Sequence, residues 1–193
     1  MPSLDVIDEL DDSFGNWVAL VIKEPEFYLA IDRAFVKKLA NTRNLRGIYI
    51  TINKPFDVIE SSFRKYDVKI GNNYFVDDVT KYMNKKAPEK ENCSFVDSPS
   101  DLTTLAITFM QAAKMIQEKS KFDKVPVFVV VDSINTFLIY NEENTVKRFF
   151  HFLISKCREL GCKLVLFSSN VDEVTSLNRV VGAFSDKVIN YAG

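Results

Sequence analysis

Short apolar runs, too continuous to belong to one-faced strands, alternate along this chain with stretches whose apolar residues recur every three or four positions. Val127-Phe-Val-Val-Val131 is the clearest run. β-Branched and apolar on both faces, it is what a parallel strand needs when helices cover both sides of its sheet. Trp17-Val-Ala-Leu-Val-Ile22, Gly47-Ile-Tyr-Ile-Thr-Ile52 and Lys163-Leu-Val-Leu-Phe167 repeat the pattern, and shorter strands are expected at Asn73–Val76, Ser94–Val96 and Lys187–Tyr191. Between them, Phe27, Ile31, Ala34, Phe35 and Leu39 share one helical face, with Asp32, Arg33, Lys37 and Lys38 off it. Pro55 opens a helix with Val58, Ile59 and Phe63 inward. Ser98-Pro99-Ser100-Asp101 has capping-box spacing ahead of a helix burying Leu102, Leu105, Ala106, Phe109, Ala113 and Ile116. A long helix from about Glu142 buries Val146, Phe149, Phe150, Leu153, Cys157 and Leu160, and Gly161 is placed to end it. Strands separated by helices imply an α/β fold, a three-layer α/β/α sandwich with a mostly parallel central sheet.

No repeat or linker divides the 193 residues, so residues 1–193 are read as one domain, with a charged, aperiodic excursion expected to be exposed at 78–92. The 25 basic and 26 acidic residues nearly cancel, which argues against nucleic-acid binding by bulk charge. Cys93, Cys157 and Cys162 cannot all pair and show no zinc-ligand spacing, so they read as small apolar residues in a reducing compartment. The amino-terminal segment has neither a basic start nor a signal core, and the longest apolar stretch is far too short for a bilayer. A cytoplasmic protein with no membrane contact is expected. His151 reads as a surface imidazole. Phe137, Tyr140 and Tyr28 are candidates for a contact surface, whereas Phe35, Phe109, Phe149 and Phe150 fall at core spacing.

Open parallel sheets bind ligands at the carboxyl ends of their strands. The residues there are Lys23-Glu24-Pro25-Glu26, Asn53-Lys54, Asp77-Asp78, Asp97, Asp132-Ser133 and Ser168-Ser169-Asn170. Asp132 ends its strand as a Walker B aspartate does, where the carboxylate holds the magnesium of a nucleoside triphosphate. Strand-ending aspartates also cap helices and turns. Asp77, Asp78, Asp97 and Asp132 could gather around one magnesium ion, though capping and solvent exposure account for the first three equally well.

The succession of these segments resembles the RecA-like ATPases, and within them the KaiC branch. Leu4–Leu10 is similar to the family's leader, Trp17–Ile22 to the strand feeding the phosphate loop, and Gly47–Asn53 to the second strand. Ser94–Asp101, Val129–Ser133, Glu159–Gly161 with the strand to Ser169, and Ser185–Ile189 follow in family order. The resemblance implies a RecA/KaiC-like sandwich that seats nucleotide at its strand ends, between neighbouring subunits. A Walker A loop needs glycines to wrap phosphate with backbone N–H groups, then a lysine and a hydroxyl residue. The six glycines are Gly15, Gly47, Gly71, Gly161, Gly182 and Gly193; none lies between Asn16 and Arg46, and no Gly-Lys pair exists. The corresponding place carries Glu24, Pro25 and Glu26. A carboxylate at about 4 Å from a phosphate oxygen costs about 4 kcal/mol at a surface-like dielectric. Where the family has a catalytic acid, this chain has Asn53-Lys54, and an asparagine cannot take a proton from water.

The expectation is therefore a non-hydrolysing RecA/KaiC-like homologue serving as a regulatory or scaffolding module, with no catalytic residue and no cofactor. Its expected partner is a second copy or an active RecA/KaiC-like relative. The alternative is a nucleotide- or small-ligand-binding protein using Asp132, Ser133, Ser168, Asn170, Lys23 and Lys54, with ATP and Mg2+ seated on Asp132. A second alternative, a recombinase-like DNA-associated protein, is lowered by the near-neutral charge and the lack of a basic stripe.

Overall fold

A computed structural model describes residues 5–24, 28–84, 87, 89–123 and 125–191. Among the described residues there are seven strands: β1 (Val18–Lys23), β2 (Arg46–Thr51), β3 (Asn73–Asp77), β4 (Cys93–Phe95), β5 (Val127–Asp132), β6 (Lys163–Ser169) and β7 (Lys187–Tyr191). They form one sheet in the order β4-β3-β2-β5-β6-β1-β7, and every neighbouring pair is parallel. The helices are α1 (Asp5–Phe14), α2 (Tyr28–Lys37), α3 (Phe56–Lys65), α4 (Thr80–Met83), α5 (Leu102–Asp123), α6 (Phe137–Tyr140), α7 (Glu143–Glu159) and α8 (Thr175–Ala183). A π-helical turn, Lys38–Thr42, continues α2.

Because side chains alternate along a strand, each strand feeds two cores. On one face Leu20, Ile48, Val129, Val131 and Leu166 meet Phe109 of α5, Phe150 of α7 and Leu177 of α8. On the other, Val21, Tyr49, Phe128, Val130 and Phe167 meet Ile7 of α1, Phe35 of α2 and Phe63 of α3. Burial of each such side chain contributes about 1.5–3 kcal/mol, so β5, buried at all six positions, anchors both layers.

Several expectations are corrected. Val58 is 47% exposed, because Phe56, Ile59 and Phe63 form the buried i, i+3, i+7 stripe of α3 and Val58 lies off it. The cap of α5 is Asp101, not Ser98: its carboxylate accepts from the Thr104 N–H at 2.9 Å and the Thr104 hydroxyl at 2.6 Å. Phe137, a candidate surface aromatic, is wholly buried against Phe149 and Phe150, while Tyr140 is half-buried and packs its ring edge on Tyr82. The side chain of Tyr28 lies outside the described residues. Within 78–92, Asp78 and Val79 are buried and α4 follows them; residues 85, 86 and 88 lie outside the described ones.

Helices α1, α4, α6 and α8 have no counterpart in the sequence pattern. Helix α1 is pinned by Asp11, which accepts from the Trp17 indole N–H at 2.7 Å and pairs with Lys163 and Arg43 at 2.7 Å each. The three cysteines are buried and free. Among the described residues no helix is long and apolar enough to cross a membrane.

Two glycines are required by their surroundings. Gly161 ends α7 at φ +67°, the left-handed conformation. Gly47, the second residue of β2, sits where a Cβ would collide with the Asn73 side chain and the Phe128 ring. Gly47→Ala is therefore expected to lower stability by about 2 kcal/mol or more, read as a reduced urea midpoint with an unchanged slope. A midpoint within error of the parent would show that the crowding is relieved at no cost.

Candidate functional site

The strand order creates the crevices that parallel sheets use for ligands, where neighbouring strands send their connections to opposite faces. Strand β2 leads to α3 on one face while β5 leads to α6 and α7 on the other; β1 leads to α2 while β6 leads to α8. The β2/β5 crevice is bridged at its mouth, because the Thr136 hydroxyl donates to Asn53 Oδ1.

Alternation then decides which strand-end residues can meet. Lys23 continues the Ala19–Val21 row and Asp132 the Phe128–Val130 row, so both face the α1–α3 layer. The Lys23 ammonium pairs with Asp32 of α2 and lies 4.2 Å from the centre of the Phe167 ring. Lys23, Asp32, Tyr49 and Asp132 are all buried. The Tyr49 hydroxyl donates to Asp132 Oδ2 at 2.9 Å, and burial holds its phenol well above the usual range, so it remains a donor. Burial pushes the Asp132 carboxyl up to about 7, opposed by the Lys23 charge. Asp32 is pushed up to about 6 by burial, opposed by Lys23 and, more weakly, by Lys54 and Arg33. A cluster of this kind is held by mutual satisfaction, since an isolated buried charge would carry a desolvation cost of several kcal/mol.

Of the six candidate ligand-binding residues, then, Lys23 and Asp132 are brought together, and Lys54 lies close enough to act on Asp32. Ser168 points to the opposite face, where its hydroxyl bonds Asn178 Oδ1 of α8 at 2.6 Å. Ser133 bonds the Asn135 side chain, and Asn170 donates to Glu24 Oε1 at 3.3 Å. Pro25 and Glu26 lie outside the described residues.

The four aspartates do not gather. Asp77 is a saturated cap, accepting from the N–H groups of Phe56 (2.6 Å), Val79 (2.9 Å) and Thr80 (2.7 Å) and from the Thr80 hydroxyl (2.6 Å). Asp97 pairs with Lys81 at 2.8 Å on the surface. Asp78 is buried, not solvent-exposed, and burial beside Asp77 and Asp101 pushes it up to about 8, a neutral acid at physiological pH. Magnesium wants hard oxygen ligands in a near-octahedral, partly hydrated shell. Asp132 leaves only Oδ1 unpartnered, behind Tyr49 and beside an ammonium, and no group of three ligating side chains exists among the described residues. The residues do not fit a magnesium ion.

Two members of the cluster escaped the sequence reading. The apolar spacing of its helix leaves Asp32 off the core face, yet it lies one turn before Phe35 and Val36 and is buried with them. A lysine ending a buried strand was the available signal, since it demands a carboxylate. Tyr49 reads as core from its position in β2, and nothing local marks its hydroxyl as a partner of Asp132, 83 residues away.

A family model described as a family of unknown function, DUF7504, matches residues 37–185. The chain belongs to that family. No curated protein matches it. Among solved structures, this DUF7504 chain is similar to a KaiC-like protein from the hyperthermophilic archaeon Pyrococcus horikoshii OT3, with a TM-score of 0.63 at 14% identity over 90% of this chain and 70% of that one. At that identity the likeness is one of fold. The parallel α/β sandwich of this chain accordingly shares the fold of that KaiC-like protein.

The buried carboxyl of Asp132 has a measurable consequence. Its native pKa of about 7 exceeds the 3.8 of a free carboxyl, so between these values the native state holds a proton that the unfolded chain has lost. Its contribution is complete below about pH 4 and is lost as pH rises through about 7. Asp132→Asn keeps an acceptor for Tyr49 and removes the ionisation. It is expected to melt well above the parent at about pH 8, with the gap closing toward about pH 4. A gap independent of pH would show that Asp132 is ionised in the native protein throughout.

Proposed function

We propose that this DUF7504 chain is a non-hydrolysing KaiC-like homologue that acts through protein contacts, as a regulatory or scaffolding module whose partner is a second copy or an active relative. One observation carries the reading: the lysine ammonium at the exit of β1 is consumed internally by Asp32, and both are fully buried. A cation engaged in this way is unavailable to a triphosphate without breaking the pair, and an uncompensated buried charge would be left behind.

Other features support the same reading. Four residues separate β1 from α2, and none of them is a glycine or a lysine. Phosphate cradling draws on successive backbone N–H groups freed by glycine, so this connection has little to offer. At the end of β2 the position of a catalytic acid holds Asn53, engaged with Thr136. Asp132 faces Tyr49 in place of a solvated ion. On this reading the module is expected to work without nucleotide or magnesium, and at the mouth of the β2/β5 crevice Asn53 and Thr136 bond each other.

Thermal denaturation with and without ATP and magnesium tests this. A ligand present at about 100 times its dissociation constant adds about 2.7 kcal/mol of stability, easily seen as a rise in Tm. No shift is expected. A rise that requires magnesium and disappears in Asp132→Asn would overturn the proposal in favour of a nucleotide-binding sensor.

A further inference from the structure

The net charge of −1 conceals an uneven distribution: between Arg33 and Lys69 the chain carries nine basic side chains and three acidic ones. Part of this excess converges on a groove of about 450 Å³ between α2, with its π-helical continuation, and the carboxyl end of α3. Arg33, Lys37 and Lys38 line it, Tyr66 forms one wall, and Ala34 and Val68 supply apolar surface. The Arg33 guanidinium lies 3.7 Å from the centre of the Tyr66 ring and donates to the Ser62 hydroxyl at 3.3 Å. Stacking holds the fork in place, and a guanidinium so placed is ready for a carboxylate. Lys37 donates to the Tyr66 carbonyl at 2.8 Å, and its only carboxylate neighbour among the described ion pairs, Asp67, is 3.8 Å away with a side chain 95% exposed. An exposed pair of that geometry is worth little and exchanges readily. Lys38 is held by Asp8 at 2.9 Å and adds to the field of the groove.

We propose that this groove docks an acidic peptide segment of a partner protein, its carboxylates pairing with Arg33 and Lys37 and its small apolar side chains resting on Ala34 and Val68. Charge complementarity selects the occupant. The apolar floor favours a peptide, and Asp8 and Asp67, paired with Lys38 and Lys37, interrupt the continuous basic track that a phosphodiester backbone requires. The inference gives the interaction reading a partner chemistry and shares its premise that the chain works by protein contacts. Nucleotide binding at the strand ends would end that reading and leave peptide binding unaffected, so the two fail separately.

The experiment is fluorescence anisotropy of a labelled ten-residue peptide of alternating Glu and Ala, titrated with the full chain. Saturable binding is expected, weakened about tenfold or more by the double substitution Arg33→Gln/Lys37→Gln and several-fold on raising salt from about 50 to about 300 mM. Arg179→Gln, an exposed cation on α8, is expected to leave it unchanged. Circular-dichroism melting verifies the fold of the double variant, and Lys37→Glu alone, at an exposed position, serves if that variant is unstable. No saturable binding by the parent, equal binding by the groove variants, or equal weakening by Arg179→Gln would overturn the proposal. Tighter binding of a ten-nucleotide oligothymidylate than of the peptide would overturn it in favour of nucleic acid.

Discussion

The pairing of Lys23 with Asp32 governs how this molecule is built at its strand ends. An ammonium at the end of a buried strand cannot be left alone in an apolar layer. It is met by the carboxylate of the first helix after it, covered by the Phe167 ring, and placed near enough to Asp132 to oppose the effect of burial there. The pair ties α2 to the end of β1. Tyr49 extends the arrangement across β2 to β5, so three strands and one helix share a single polar cluster inside an aromatic layer.

The sheet is a partition as well as a scaffold. Because neighbouring residues on a strand face opposite ways, Lys23 and Asp132 serve the α1–α3 layer while Ser168 serves α8. Residues that look like a single constellation along the carboxyl edge are thus divided between two interiors. Asp77 shows another use of the same edge: with four donors around its carboxylate it fixes the starts of α3 and α4, and so sets the direction in which two connections leave the sheet.

Much of the architecture was legible because it depends on short-range pattern. The apolar runs of β1, β2, β5 and β6 and the helical spacing of α5 and α7 report burial directly, and Gly161 marks its helix end by a backbone need that only glycine meets cheaply. Less legible were α1, whose acidic surface hides Ile7 and Leu10, and α6, a single turn whose Phe137 is buried between two other phenylalanines. Of the candidate site, Lys23 and Asp132 were identified as residues but not as members of a closed cluster. Asp32 and Tyr49 are not legible from the sequence, because a charge on a helix and a phenol in a strand look ordinary until their partners are known.

What the amino-acid order determined alone was the alternation of strand and helix, the two-sided burial expected of a parallel sheet, and the lack of any glycine between Asn16 and Arg46. These follow from side-chain periodicity and backbone freedom, both local properties. Only the tertiary structure decided that Lys23 spends its charge on Asp32, that Asp132 faces Tyr49, and that Ser168 lies beyond the sheet from both. Those outcomes depend on strand order and on which face each residue meets, and residues far apart in the chain become neighbours only when the sheet closes.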